Sequence, residues 1–282
     1  MNSSHSKKVI IGLSIAVLFL LISNIATLRK LDMTSRSPQT VLEAVTDDEV
    51  ETIEDETPST SIAGKIVLVI DDFGYRNDAV SDGFLALNVP ITCAIIPGHR
   101  QSSEFAKKAI AAGQEVIIHM PMESTLNTPG EDEYKLRSGM TSEEIEWRMN
   151  EVLKEIPEAV GMNNHQGSKA TTNGKVMGVV GSVLKKHKKY FLDSRTASNT
   201  VGEATMRQLG VPTARRHVFL DNDPEVEKIN TQLNTLVSVA KKRGVAIGIG
   251  HAKPNTLEVL KERIPMLVNE GFQFEFASKV VE

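Results

Sequence analysis

The 282-residue chain has one cysteine, Cys93, set in the apolar run ITCAII, which excludes an intramolecular disulfide and a thiolate metal site. No GxGxxG or GxxxxGK[ST] motif follows its first apolar strand candidate, so the nucleotide-binding versions of an α/β architecture lose their support. Nor is there an excess of positive charge. A formal net charge of -4 and a pI near 6.0 give no global cationic surface of the kind that draws nucleic acid, which is not an expected partner. No internal repeat stands out.

What the chain does have is 40% hydrophobic and 24% charged residues, ordinary for a globular protein and enough for a sizeable core. Residues 9–28, VIIGLSIAVLFLLISNIATL, carry no charged side chain and are just long enough to cross ~30 Å of hydrocarbon as a helix. The run continues into Arg29 and Lys30 without a small-x-small cleavage site. Residues 1–30 are therefore expected to be a membrane anchor, with a cleaved signal segment and a secreted domain as the alternative. Lys7 and Lys8 on one side against Arg29, Lys30 and Arg36 on the other hardly fix the orientation. The short N-terminal tail favours a domain outside the membrane, at the cell surface or in the periplasm. Residues 31–63, with TDDEVETIEDETPSTS, have the composition of an acidic disordered linker.

From Lys65 onward β-branched runs alternate with segments of helical period. The pattern predicts strands at 65–70, 91–96, 115–119, 158–162, 189–193, 213–219, 245–249 and 272–276, with helices near 77–87, 102–112, 141–155, 173–187, 202–209, 225–243 and 255–269. TSEE at 141–144 is a capping-box start, and Gly113 and Gly244 stand where helices should end. This series fits a (β/α) barrel or a deformed seven-stranded version over residues 64–282, with an open doubly wound sheet as competitor.

Polar residues gather where these strands end: Asp71-Asp72, His99, His119, Asn163-Asn164-His165, Asp193-Ser194, Asp221 and His251. Each has an ordinary reading by itself. Asp71-Asp72 before Gly74 makes a turn, His119 a satisfied core histidine, His99 a solvated loop residue, and HQGSKATTN a polar loop capped by Asn173. Their recurrence at successive strand ends is how barrel enzymes build sites, and Asp plus His without Cys suits Zn2+ or a similar divalent ion.

The blocks LVIDDFG, IIHMPME, GMNNHQGSKAT, FLDSRTA and GIGHAKPNT, in this order, resemble the divergent polysaccharide deacetylase family, often called YibQ-like, a branch of the NodB-type carbohydrate esterases. The resemblance covers nearly all of residues 65–276. It implies a deformed (β/α)7 barrel of the glycoside hydrolase/deacetylase type, a divalent metal, and removal of N-acetyl groups from a glycan. Carried over by motif, Asp71 matches the base, Asp72 the carboxylate ligand, His119 the first histidine ligand and His251 the acid. The usual His-x-x-x-His is broken, because Glu123 stands four residues after His119, and His165 is taken as third ligand. Glu123, Asn164, Asp193 and Arg195 are expected to contact substrate or support the ligands. In particular, Asp193 orients His251 or binds substrate, and Arg195 holds an anionic glycan group.

The chemistry agrees with those roles. A divalent metal, expected to be Zn2+, activates water for attack on the amide, and the paired carboxylates divide the work, one binding the cation and the other accepting the proton. The expected function is thus a metal-dependent hydrolase acting on an N-acetylated cell-envelope polysaccharide. The competing readings are a metal-dependent phosphoesterase or glycosidase on the same barrel, and a non-catalytic glycan-binding or scaffold protein.

Overall fold

The run GKIVLVIDDF forms β1 (Gly64–Phe73), buried on both faces nearly throughout, as a parallel strand flanked by packing layers must be. It is the centre of the computed structural model, which describes residues 62–126 and 129–282. The other strands are β2 (Thr92–Ile95), β3 (Glu115–Met122), β4 (Gly161–Gln166), β5 (Tyr190–Asp193), β6 (Thr213–Arg215), β7 (Val218–Phe219), β8 (Val245–His251) and β9 (Phe272–Glu275). They alternate with helices α1 (Ala79–Leu85), α2 (Ser102–Ala111), α3 (Ser142–Glu155), α4 (Gly174–Lys186), α5 (Gly202–Leu209), α6 (Val226–Arg243) and α7 (Pro254–Asn269). Neighbours in the order β6-β5-β4-β3-β2-β1-β8-β7 pair in parallel, and β9 pairs with the first residues of β1.

The result is a curled parallel sheet with its ends at β6 and β7, a half-barrel wrapped by helices. The expected single strand over 213–219 is split, and adjacent residues show why. Arg216 N donates to Asp193 O in β5 at 2.9 Å, whereas His217 N donates to Ile247 O in β8 at 2.9 Å. One short segment thus serves both sides of the gap.

A second departure concerns β4, expected at 158–162 and found at Gly161–Gln166. The polar sequence NNHQ pairs in register with β3, from Ile117 opposite Gly161 to Met122 opposite Gln166. Hydrophobicity placed the strand too early, because residues near the mouth of a curled sheet point into a polar cavity rather than a core. β1, β3 and β8 likewise run on past their predicted ends, and β1 and β8 thereby take in the Asp and His residues expected just beyond them.

Strand alternation sorts the core into two layers. Ile66, Leu68 and Ile70 pack in the large cluster with helix residues such as Leu233, Leu236 and Leu260. Val67 and Val69 meet Ile117, Leu192, Ile247 and Ile249 in a second cluster inside the curl. The chain's last residues close one end of that interior: Ala277 N donates to Thr92 Oγ1 at 3.0 Å, Ser278 N to Glu115 Oε1 at 3.2 Å, and Thr213 N to Glu282 O at 2.9 Å. The opposite end stays polar and open.

Local signals behave as expected at α3 and α4. Thr141 and Glu144 form the reciprocal capping box, and Asn173 Oδ1 accepts the N–H groups of Lys175 and Val176. Among the described residues no helix is long and apolar enough to cross a membrane. The expected anchor at 9–28 and the linker up to residue 61 lie outside the described residues.

Candidate active site

The inner face that carries Val67 and Val69 continues, two residues on, to Asp71. By the same alternation Ile117 leads to His119, Gly161 to Asn163 and His165, and Ile249 to His251. Register places Asp71 beside His251 and His119 beside Asn163. Four strands thus deliver inward side chains near their C-terminal ends to one place.

Asp72 should face the other way, since successive strand residues point to opposite faces. It does not, because β1 bulges: Ile70 pairs with Cys93 but Phe73 with Ile95, three steps against two. Asp72 takes the extra step with φ 68°. A left-handed non-glycine residue costs roughly 1–2 kcal/mol, and the bulge is what brings both carboxylates to the same site.

Asp72 Oδ1 lies 3.4 Å from His119 Nε2 and 3.3 Å from His165 Nδ1, and these two nitrogens are 3.1 Å apart. Asp72 Oδ1 is also buried without a hydrogen-bond partner. A tetrahedral ion bonded at about 2.0–2.1 Å holds its ligand atoms about 3.3–3.4 Å apart, close to this triangle. One oxygen and two nitrogens, with an orphaned buried carboxylate atom among them, fit a divalent cation of the Zn2+ type.

Asn163 sets the orientation behind this triangle. Its Nδ2 donates to Asp71 Oδ1 at 2.8 Å, so its Oδ1 is left to accept from His119 Nδ1 at 2.7 Å. The His119 Nε2 lone pair is thereby directed to the site. Burial pushes the Asp71 carboxyl up, as does neighbouring Asp72, against His119, His251 and the Asn163 bond, and the net direction is upward. Burial would raise Asp72 too, but the imidazoles of His119 and His165 close against its carboxylate, with the charge of His251, hold it far below the ordinary carboxylate range. Burial lowers His119, yet Asp71 and Asp72 more than reverse this, and its net direction is up. Two carboxylates raise the affinity of Nε2 for a cation, whether proton or metal.

On the opposite side stands His251, with Nε2 3.9 Å from Asp72 Oδ2. Its Nδ1 is 2.8 Å from Asp221 Oδ1, and its backbone N donates to Asp221 Oδ2 at 2.8 Å. Thr256 Oγ1 gives that same oxygen a further bond at 2.6 Å. Burial lowers His251, but its hydrogen bond to and the charge of Asp221 prevail and raise it, while Asp221, despite burial, is held down by the same pair.

The expected roles of the remaining residues change. Asp221, not Asp193, orients His251. Asp193 is fully buried, accepts from Arg195 N at 2.8 Å and Thr200 Oγ1 at 2.9 Å, and ties down the start of α5 through Glu203 N at 3.3 Å. Asn164 fastens the loop after β5, accepting from Ser194 N at 2.9 Å and donating to Gln166 O at 2.7 Å. Arg195 lines the cavity in front of the histidines. Asn163 and Asp221 stood among the polar residues expected at strand ends, but neither was given a role. The first is one inward step before His165, and the second ends a run whose strand stops at Phe219.

Glu123 is turned from the ligand triangle. Its Oε2 accepts from Ser138 N at 2.8 Å and Ser138 Oγ at 2.6 Å, and its Oε1 meets Lys169 Nζ at 2.9 Å. Against the effect of burial, these Ser138 and Lys169 contacts hold its carboxyl down at about 2. Glu123→Gln is therefore expected to leave metal stoichiometry unchanged while costing about 1 kcal/mol of stability, through loss of a charge-assisted contact between two loops. Metal analysis together with a thermal melt checks both halves.

The family description "divergent polysaccharide deacetylase" matches residues 68–281. The chain is 39% identical over 206 residues to the uncharacterized protein YibQ of Escherichia coli K12, covering 73% of this chain and 64% of that protein, less than two thirds of its length. An uncharacterized protein of Haemophilus influenzae Rd is 35% identical over 199 residues, 70% of each chain. Among solved structures, an uncharacterized protein of Agrobacterium tumefaciens C58 superposes with a TM-score of 0.73 at 18% identity, covering 79% of this chain and 91% of the other. The catalytic domain of a peptidoglycan N-acetylglucosamine deacetylase from Eubacterium rectale superposes with a TM-score of 0.52 at 14% identity, covering 76% and 88%. At these identities the two structures speak for the fold. The match over residues 68–281 carries further: the chain belongs to the divergent polysaccharide deacetylase family.

Proposed function

We propose that this protein is a metal-dependent hydrolase that removes N-acetyl groups from a polysaccharide of the cell envelope, with its domain on the outer side of the membrane. The observation that carries the reading is the triangle of Asp72 Oδ1, His119 Nε2 and His165 Nδ1, with Asp71 and His251 beside it. Asp72, His119 and His165 would hold the metal. A divalent ion in that place acidifies water and polarises the acetyl carbonyl.

The chain's own residues supply the proton transfers. Asp71, fixed by Asn163 and with its basicity raised by burial, accepts a proton as a water oxygen bonds to the carbonyl carbon. When the carbon–nitrogen bond breaks, His251 protonates the departing amine, so that acetate and a free amino sugar result. Asp221 keeps His251 in the tautomer with Nε2 facing the site and stabilises its protonated form. Burial of Asp71 and His119 keeps bulk water from competing for these bonds.

The test is acetate release from N-acetylated oligosaccharides by the full-length chain, with and without chelation. Turnover that disappears on chelation and returns with added divalent metal supports the reading. Phosphate release from model esters, or sugar binding with a bound metal and no acetate, would point instead to a phosphoesterase or to a glycan-binding module.

Asp221 yields a further expectation. Since Asp221 raises the pKa of His251, and the acid must be protonated to act, Asp221→Asn lowers that pKa and moves the alkaline limb of kcat to lower pH. A pH–rate profile of the metal-loaded variant beside the unmodified protein reads the shift. An unchanged alkaline limb would remove His251 from the role of acid.

A further inference from the structure

The metal ligands open on a cavity of about 410 Å3 whose far wall does not belong to the proton-transfer machinery. That wall holds Arg195, which follows Ser194 just after β5, and Arg216, between β6 and β7, together with Phe219. Among the described residues neither guanidinium is in an ion pair with a carboxylate. Two unpaired arginines lining one concave site are unusual, because partly desolvated guanidinium groups are ordinarily matched by anions.

The two side chains are built into place. Arg216 Nε donates to Ser194 O at 2.7 Å and its Nη2 to Arg195 O at 3.1 Å, while its guanidinium carbon lies 4.6 Å from the centre of the Phe219 ring. These are two of its five donors. Arg195 has φ 50°, a left-handed backbone held by its N–H bond to Asp193 Oδ1 at 2.8 Å, and its side chain makes only a long contact of 3.4 Å to Ser198 O. Strain of this kind persists only where the surroundings enforce it. Ser194 is 5% exposed, and its Oγ is buried with no hydrogen-bond partner. Three sets of donors therefore stand together with bonding capacity to spare.

Of the residues lining the cavity, Arg195 and Arg216 carry a charge that does not titrate, and both are cations. We propose that Arg195, Arg216 and Ser194 form an anion subsite, so that the acetylated sugar admitted here carries an anionic substituent, a carboxylate or a phosphate. The inference rests on the hydrolase reading for its sugar and on the arginine wall for its charge.

Calorimetry on the metal-loaded full-length chain tests it with three probes: N-acetylglucosamine, N-acetylmuramic acid and N-acetylglucosamine 6-phosphate. At least one anionic sugar should bind tenfold or more tighter than the neutral one, with an advantage that shrinks as salt is raised, and comparison of the two separates carboxylate from phosphate. Arg195→Gln and Arg216→Gln should each reduce that advantage severalfold, Arg216→Lys should retain part of it, and thermal melts of all three confirm folding. Equal binding of neutral and anionic sugars overturns the subsite, as does an advantage that survives both Gln variants. Acetate release from neutral oligosaccharides with no preference for charge would leave the deacetylase standing without the subsite. Anionic preference without acetate release from any of the probes would leave the subsite without the deacetylase.

Discussion

His165→Gln is expected to weaken divalent-metal binding by on the order of a hundredfold or more and to abolish turnover with it, because two ligands cannot hold what three hold in an open tetrahedral site. His165 provides one corner of the triangle, with Nδ1 3.1 Å from His119 Nε2 and 3.3 Å from Asp72 Oδ1. It is only partly buried at the end of β4, and its loss opens no large cavity, so the variant should melt near the unmodified protein when both are measured with chelator. The comparison with Glu123→Gln makes the result decisive. If metal is retained in His165→Gln and lost in Glu123→Gln, the ligand set assigned here is wrong. Metal content after dialysis and a titration with Zn2+ supply the readout.

Asp71→Asn is the second large effect, with an opposite signature. The carboxyl is 4% exposed, hydrogen-bonded to Asn163 Nδ2 at 2.8 Å, and outside the ligand triangle. Its amide cannot accept a proton from water, and loss of a positioned general base lowers kcat by roughly 10^2 to 10^4. Metal should stay bound, since Asp72, His119 and His165 are intact. An Asn at 71 can also turn its amide oxygen toward Asn163 Nδ2, which preserves that bond. A variant that loses metal together with turnover would place Asp71 among the ligands, and one that keeps full turnover would remove it as base.

Much of the site was legible because the fold obeys a period of two. Val67-Val69-Asp71, Ile117-His119 and Ile247-Ile249-His251 each run from an apolar interior to a polar end on one face, and the sequence marks this by placing an Asp or His where the apolar run stops. The same logic failed at β4, where Asn163 and His165 sit inside the strand, so that a reading by hydrophobicity ended the strand before them. It failed again at Asp221, which lies two residues beyond the short strand Val218–Phe219 and was counted among strand ends without a partner. Its link to His251 spans 30 residues of sequence and exists only because β7 and β8 are neighbours.

By itself the sequence determined the alternation of strands and helices, the caps at Thr141 and Asn173, the single cysteine and the lack of a phosphate-loop motif after the first strand, and the recurrence of Asp and His near strand ends. These are local properties, set by side-chain period, capping groups and residue inventory within a few residues of one another. Tertiary structure decided the rest. A bulge of three steps against two, with Asp72 at φ 68°, turns two adjacent carboxylates to the same side. Tertiary contacts set Glu123 against Ser138 and Lys169, and Asp221 rather than Asp193 against His251. Which donor atoms converge within 3.4 Å depends on register between strands far apart in the chain, and no local pattern encodes that register.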